Sequence, residues 1–351
     1  MRFAFLTSTP TNLRDGSGTW SGIRTLADAL VALGHSVELV APRIVPGDYT
    51  AQRLAFNAAL AARDWRAFDV SVGFDMDGYL LPRTAGPRHV ASIKGVIADE
   101  MRFESGDTRA GMERQAACEA EHLRRADRVI TTSRYSADRL RALYGHAGPV
   151  GVVPELLDVG RWPARLDAAP PAPRERRNRI LCVCRLYPRK RVARLLEAAA
   201  LLRDAGPALE VRIVGDGPED DALTALHAQL RLEGTVTRLG FLPPDALAAE
   251  YRACDVFCLP SIQEGFGIVL LEAMAAGRPI VACRAAAVPE AAPHALLVEP
   301  DSAPALAAGL AELLADRPRA DRMAREGRDA VRAFDAPVVA RRFLEAIGPG
   351  T

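Results

Sequence analysis

Short apolar runs alternate along the whole chain with longer stretches in which apolar residues return every three or four positions. The runs Phe3–Thr7, Val37–Val40, Val70–Phe74, Arg88–Ile93, Arg128–Thr131 and Val150–Val153 predict a first set of strands. Ile180–Cys184, Leu209–Val214, Val236–Leu239, Val256–Leu259, Ile280–Cys283 and Ala295–Val298 predict a second. Between the first two, Ile23, Leu26, Leu30 and Leu33 recur at helical spacing, and Gly34 stops the helix. Strand–helix alternation implies parallel sheets with helices on both faces, the α/β class, and two sets imply two doubly wound, Rossmann-like domains. The proline- and alanine-rich stretch Pro163…Pro170-Pro171…Pro173 predicts an interdomain linker over 163–175. It divides a first domain, 1–162, from a second, 176–335, and a last helical pattern occupies 336–351.

Composition narrows the class without changing it. A chain of 351 residues suits two domains, and 49% hydrophobic with 25% charged residues is the make-up of a soluble globular enzyme. A net charge of +1 argues against a nucleic-acid partner. No apolar run approaches the ~18 residues of a membrane span, and Phe3–Leu6 is too short for a signal peptide. Six cysteines with no Cys-x-x-Cys read as core residues in a reducing cytoplasm. The expectation is a cytoplasmic protein without a transmembrane span, peripheral membrane contact remaining open. Lysine usage is more telling. Lys94 and Lys190 are the only lysines, against 43 arginines. Arginine-biased codons explain the 43 but not the two survivors, and a compact ammonium can enter an anionic pocket that a planar guanidinium cannot. Both are site candidates.

The string 264–279 carries the most chemistry. Glu264 and Glu272 stand eight positions apart around a turn, Gly265-Phe266-Gly267, that opens the helical pattern Ile268–Ala276. Gly277-Arg278-Pro279 closes it. The unit reads strand, loop, helix, so its turn offers backbone N–H groups and a helix N-terminus to an anion. The glycines let a diphosphate approach the backbone. Glu272, one turn on, can accept from two vicinal ribose hydroxyls, and Glu264 can hold a group beyond the phosphates. Together these describe a nucleotide sugar.

This pattern resembles the Glu-x7-Glu signature of the family-4 retaining glycosyltransferases, which have the GT-B fold of two Rossmann-like domains facing a cleft. Cys184-Arg185-Leu186-Tyr187-Pro188-Arg189-Lys190 resembles that family's segment whose cations neutralise the donor diphosphate, with Arg185 and Lys190 in those positions. Gly215, in Gly215-Asp216-Gly217, matches a turn lining the nucleotide site, and Leu242 a position whose backbone reads the base. Gly16 and Gly18 resemble the first-domain glycine loop; their spacing with Gly22 is not that of a dinucleotide fingerprint. Trp20 and Asn12 border an acceptor pocket or simply pack. Lys94 stands where many relatives have a histidine facing the reacting sugar, and Glu155 where they have asparagine.

The resemblance implies a retaining enzyme with the donor in the second domain, the acceptor in the first, and the final helix crossing back onto the first. It implies no cofactor and no metal. Asp75-Met76-Asp77 is an Asp-x-Asp, the metal–diphosphate motif of the other glycosyltransferase fold, but is read here as a polar loop at the cleft mouth. Asp99, Glu100 and Glu104 are placed on the acceptor side. The rival readings are a nucleotide-sugar epimerase of similar fold and a nucleotide-sugar-binding protein without transfer activity. The donor sugar, the base (uracil or guanine) and the acceptor stay open.

Overall fold

The computed structural model describes residues 1–82, 86–170, 178–206 and 208–348. Residues 171–175 of the expected linker lie outside them. The chain forms two compact units, 1–156 with 336–351, and 157–335.

The first unit holds β1 (Arg2–Leu6), β2 (Ser36–Val40), β3 (Val70–Phe74), β4 (Arg88–Ile93), β5 (Arg128–Thr131) and β6 (Val150–Val152). They form one parallel sheet in the order β2-β1-β3-β4-β5-β6. Its helices are α1 (Ser17–Ala32), α2 (Tyr49–Ala61), α3 (Ile97–Glu100), α4 (Gly106–Arg125) and α5 (Arg134–Tyr144). The central strand β3 is buried at every position, whereas the edge strand β2 is not. An uninterrupted apolar run therefore marks the middle of the sheet, where helices cover both faces.

In the second unit, α6 (Trp162–Ala168) precedes β7 (Arg179–Val183), followed by α7 (Val192–Asp204), β8 (Glu210–Val214), α8 (Asp220–Gln229), β9 (Val236–Gly240), α9 (Pro244–Ala253) and β10 (Val256–Leu259). Then come α10 (Ile268–Ala275), β11 (Ile280–Cys283), α11 (Val288–Ala291), β12 (Leu296–Val298), α12 (Ala303–Ala315) and α13 (Arg317–Ala330). All pairings are parallel, in the order β12-β11-β10-β7-β8-β9. Four of the six cysteines, 182, 254, 258 and 283, are buried here as small core residues.

The last helix, α14 (Ala336–Ile347), belongs to the first unit and packs on α1. Its buried Val339, Ala340, Phe343 and Ile347 follow helical spacing, and Phe343 lies 6.1 Å from Phe3 and 6.4 Å from Phe5, ring to ring. The segment expected as linker begins differently. Residues 162–168 are the helix α6, started by Pro163 in its first turn and seated on α9 through Leu166. The break between the compact units falls at Leu156/Leu157 instead. Proline richness marked a helix start there, not an extended spacer.

No helix among the described residues is long and apolar enough to cross a membrane.

Candidate functional site

In a doubly wound sheet, ligands bind beyond the carboxyl ends of the strands, where the strand order reverses. In the second unit that point lies between β7 and β10. The loop after β7 carries Arg185 and Lys190, and the loop after β10 carries Glu264. Topology thus brings together what 74 or more residues separate. Lys190 Nζ lies 2.7 Å from Glu264 Oε1, both side chains about nine-tenths buried. The two loops are tied by Ile262 N–H donating to the Arg189 carbonyl at 3.0 Å. Arg185 pairs with Asp216 after β8, and Arg185 and Arg189 both lie over the ring of Tyr187, at 5.8 and 4.7 Å. Gly215, beside Asp216, has φ +128°, and a Cβ there would meet the Cys184 carbonyl at 1.9 Å. Only glycine lets the β8 turn close on the β7 loop. Leu242, after β9, is half-buried against the second unit's core.

Gly267 ends the turn after Gly265 and caps α10 with φ +96°, a left-handed conformation that favours glycine. No side chain caps this N-terminus. Ile268 is its first helical residue. Phe266 is buried, edge-on to Phe334 with centroids 5.4 Å apart, which anchors the turn to the core. One turn into α10, Glu272 Oε2 accepts from Tyr251 Oη at 2.9 Å. Burial pushes the Glu272 carboxyl up to about 7, against the opposing pull of the Tyr251 hydroxyl and the Arg165 charge.

This raised value has a sign. A carboxyl that is easier to protonate in the folded state contributes its stability in full below its unfolded value near 4.5, and loses it as pH rises through about 7. Glu272→Gln should therefore raise the melting temperature of the ligand-free protein at pH 8.5 and change it little at pH 4. Thermal melts at the two pH values check this; equal effects at both would show that ionisation is not what strains the site.

In the first unit, Lys94 follows β4 and Glu155 follows β6. Lys94 Nζ lies 3.1 Å from both Glu155 oxygens, each side chain 8% exposed. The Glu155 carboxylate fits against α1 because residue 22 is glycine: a Cβ there would meet Glu155 Oε2 at 2.3 Å. The Lys94 N–H donates to Asp75 Oδ1 at 2.8 Å. Gly16 caps α1 with its would-be Cβ 2.0 Å from the Pro10 carbonyl, and Gly18 lies in the first turn of that helix. The second-unit residues Glu264, Lys190, Arg185, Gly215, Gly265, Phe266, Gly267, Ile268, Glu272 and Leu242 thus lie on neighbouring loops and one helix of a single unit. Lys94, Gly16 and Gly18 lie in the other.

Two expectations need correction. Asp75 and Asp77 do lie in the turn after β3, but Asp77 does not face solvent as a polar loop residue would. Asp77 is fully buried, accepting from Ser8 N–H at 2.6 Å, Ser8 Oγ at 2.7 Å and Asn57 Nδ2 at 2.9 Å, with Arg53 at 3.7 Å. It closes the first sheet's own crossover between β1 and β3. Asp75 is only half-buried, and desolvation pushes its carboxyl up to about 6. Asp99 is fully buried rather than open to an acceptor, accepting from Tyr135 Oη at 2.6 Å. Of the two readings of Trp20, the structure shows the packed one: it lies in the first unit's core. The pairing partners Asp216, Tyr251 and Glu155 (as a partner of Lys94) were missed. The last had a signal, since one new cation and one new anion both departed from the resemblance.

A family model described as "Glycosyltransferase Family 4" matches residues 16–161, and one described as "Glycosyl transferases group 1" matches residues 165–330. The chain belongs to the family-4 glycosyltransferases. A similar curated relative is the GDP-mannose-dependent alpha-(1-6)-phosphatidylinositol monomannoside mannosyltransferase of Mycobacterium tuberculosis, 34% identical over 223 residues. That match covers 59% of this chain and spans 57% of the relative's length. Sucrose-phosphate synthase from Thermosynechococcus elongatus is similar in structure with a TM-score of 0.79 at 21% identity, covering 98% of this chain and 97% of that one. The Anabaena HepE structure in complex with UDP and glucose has a TM-score of 0.72 at 21% identity, covering 99% of each. The fold of this family-4 chain is GT-B, as the resemblance implied.

Proposed function

We propose that this protein is a retaining glycosyltransferase that moves a sugar from a UDP- or GDP-linked donor to a saccharide, lipid-linked glycan or small-molecule acceptor. The observation that carries the reading is the Lys190–Glu264 pair, 2.7 Å apart beside an uncapped glycine turn at the second sheet's crossover. Two relatives support the donor class: the mycobacterial enzyme is named for GDP-mannose, and HepE was solved with UDP and glucose.

The roles follow from the chemistry. Arg185, Lys190 and the N–H groups at Gly267 and Ile268 bind the diphosphate and stabilise the charge it gains when the bond to the anomeric carbon breaks. Glu272 accepts from the ribose hydroxyls. Leu242 borders the base, and Glu264, held by Lys190, receives hydroxyls of the sugar. The leaving oxygen keeps the electron pair, the acceptor oxygen attacks the same face of the short-lived oxocarbenium ion, and its proton passes to the departing phosphate. Acceptor groups fall to the first unit, where Lys94 is placed; Gly16 and Gly18, at the start of α1 in the same unit, are assigned to the donor phosphate.

Thermal melts against a panel of UDP- and GDP-sugars test this. One donor at a hundredfold excess over its Kd should raise the melting temperature by about 5 °C or more; no shift with any member would contradict the reading. Activity should survive EDTA, because the diphosphate already has two cationic partners and Asp75 and Asp77 are both engaged in the first unit. A strict Mg2+ or Mn2+ requirement that disappears in Asp75→Asn would overturn that assignment.

A further inference from the structure

Glu272 is supported from outside its own helix. Tyr251, from α9, is fully buried and donates to Glu272 Oε2 at 2.9 Å. Its ring is clamped: Phe257 of β10 stacks on it with centroids 5.7 Å apart, and Trp162 of α6 meets it edge-on at 5.6 Å. The clamp fixes the ring, and of the two acceptors its hydroxyl reaches, Glu272 Oε2 at 2.9 Å is nearer than the Val269 carbonyl at 3.4 Å. Arg165, one turn further along α6, adds a positive charge acting on Glu272 and lies over the Trp162 ring at 5.9 Å. Arg328, from α13, lies over Gly277 just beyond the far end of α10. A carboxylate that must accept from two ribose hydroxyls with one oxygen already fixed has its remaining lone pairs aimed by that fixed bond.

We propose that Tyr251 is a positioning residue for nucleotide binding: it holds the Glu272 carboxylate ionised and oriented for the ribose hydroxyls, with α6 as its brace. This rests on the reading of Glu272 as the ribose ligand. The segment that composition marked as a spacer thereby becomes a support of the donor site. The proton balance is simple. Tyr251, kept as a donor because burial pushes its own ionisation up, gives a hydrogen bond that only the deprotonated carboxyl accepts at full strength. Removing it leaves a carboxyl that stays protonated to higher pH and then presents a hydroxyl where an acceptor is needed.

The test measures calorimetric affinity for UDP and GDP and for their 2′,3′-dideoxy analogues between pH 6 and 9, in wild type, Tyr251→Phe and Arg165→Gln. Phenylalanine fits the same clamp, and Arg165 is exposed, so Arg165→Gln carries the question even if Tyr251→Phe does not fold. The expected result for Tyr251→Phe is a loss of about tenfold at pH 7 that shrinks towards pH 9. Its midpoint in pH should be displaced upwards, and the dideoxy analogues should bind both proteins alike. Arg165→Gln should displace the midpoint the same way by less. A pH-independent loss, or an equal loss for the dideoxy analogues, would reduce Tyr251 to packing and overturn the proposal. So would unchanged curves in both variants. If wild type itself binds the dideoxy analogues as tightly as the parents, Glu272 is not the ribose ligand, and that failure belongs to the functional reading instead.

Discussion

Lys190→Ala should lower kcat/KM by about 10²–10³-fold, about 2.7–4 kcal/mol, the cost of deleting one preorganised charge stabiliser from a water-poor site. Two losses add. The leaving diphosphate loses a cation in the transition state, and nucleoside diphosphate affinity should fall by at least tenfold. Glu264, 8% exposed, is also left without its 2.7 Å partner. The double variant Lys190→Ala/Glu264→Gln separates them. It relieves the stranded charge, so the melting temperature should recover while activity stays low. Recovery of activity along with stability would mean that Lys190 serves Glu264 alone, and unchanged affinity in Lys190→Ala would remove it from the donor site.

Lys94→Ala should lower kcat/KM at least tenfold, about 1.4 kcal/mol, with nucleoside diphosphate affinity hardly changed. Lys94→Arg should rescue poorly, because the bulkier head does not fit between Glu155 and the Phe74 ring, 5.9 Å from Nζ. The pair with Glu155 complicates any single substitution, since breaking a buried ion pair costs about 3–5 kcal/mol through the charge left behind. Replacing both partners by apolar residues of similar volume is usually near neutral for stability. Lys94→Met/Glu155→Met should accordingly fold with a melting temperature close to wild type and still lack activity. A folded double variant with full activity would show that the pair is structural and that Lys94 touches no substrate.

Much of the architecture was readable because burial writes it into the residues. Central strands such as β3 and β10 are covered on both faces and apolar throughout, all twelve runs coincide with strands, and α14 showed its buried stripe at 337–347. The Glu264–Gly277 string was readable because a glycine turn, a helix start and two carboxylates at fixed spacing leave few alternatives. What could not be read was pairing across distance. Lys94 and Glu155 are 61 positions apart, Arg185 and Asp216 are 31 apart, and Glu272 and Tyr251 are 21 apart. Each pair is set by strand order rather than by local pattern. The Asp75–Asp77 motif failed for the same reason: Ser8, Asn57 and Arg53, which bury Asp77, come from other elements. Residues 162–168 failed on local chemistry, since proline inside a first helical turn and proline in a spacer look alike.

The central claim is that this site breaks a nucleotide–sugar bond and keeps the configuration of the sugar. The most direct measurement follows α-linked UDP- and GDP-sugars with the purified protein by proton NMR, with water as the default acceptor, before mutarotation scrambles the product. The account predicts that free nucleoside diphosphate appears together with a sugar released first as the α-anomer, and that both signals are lost in Lys190→Ala. First release of the β-anomer, or conversion of the donor to an epimer with no free diphosphate, would contradict it.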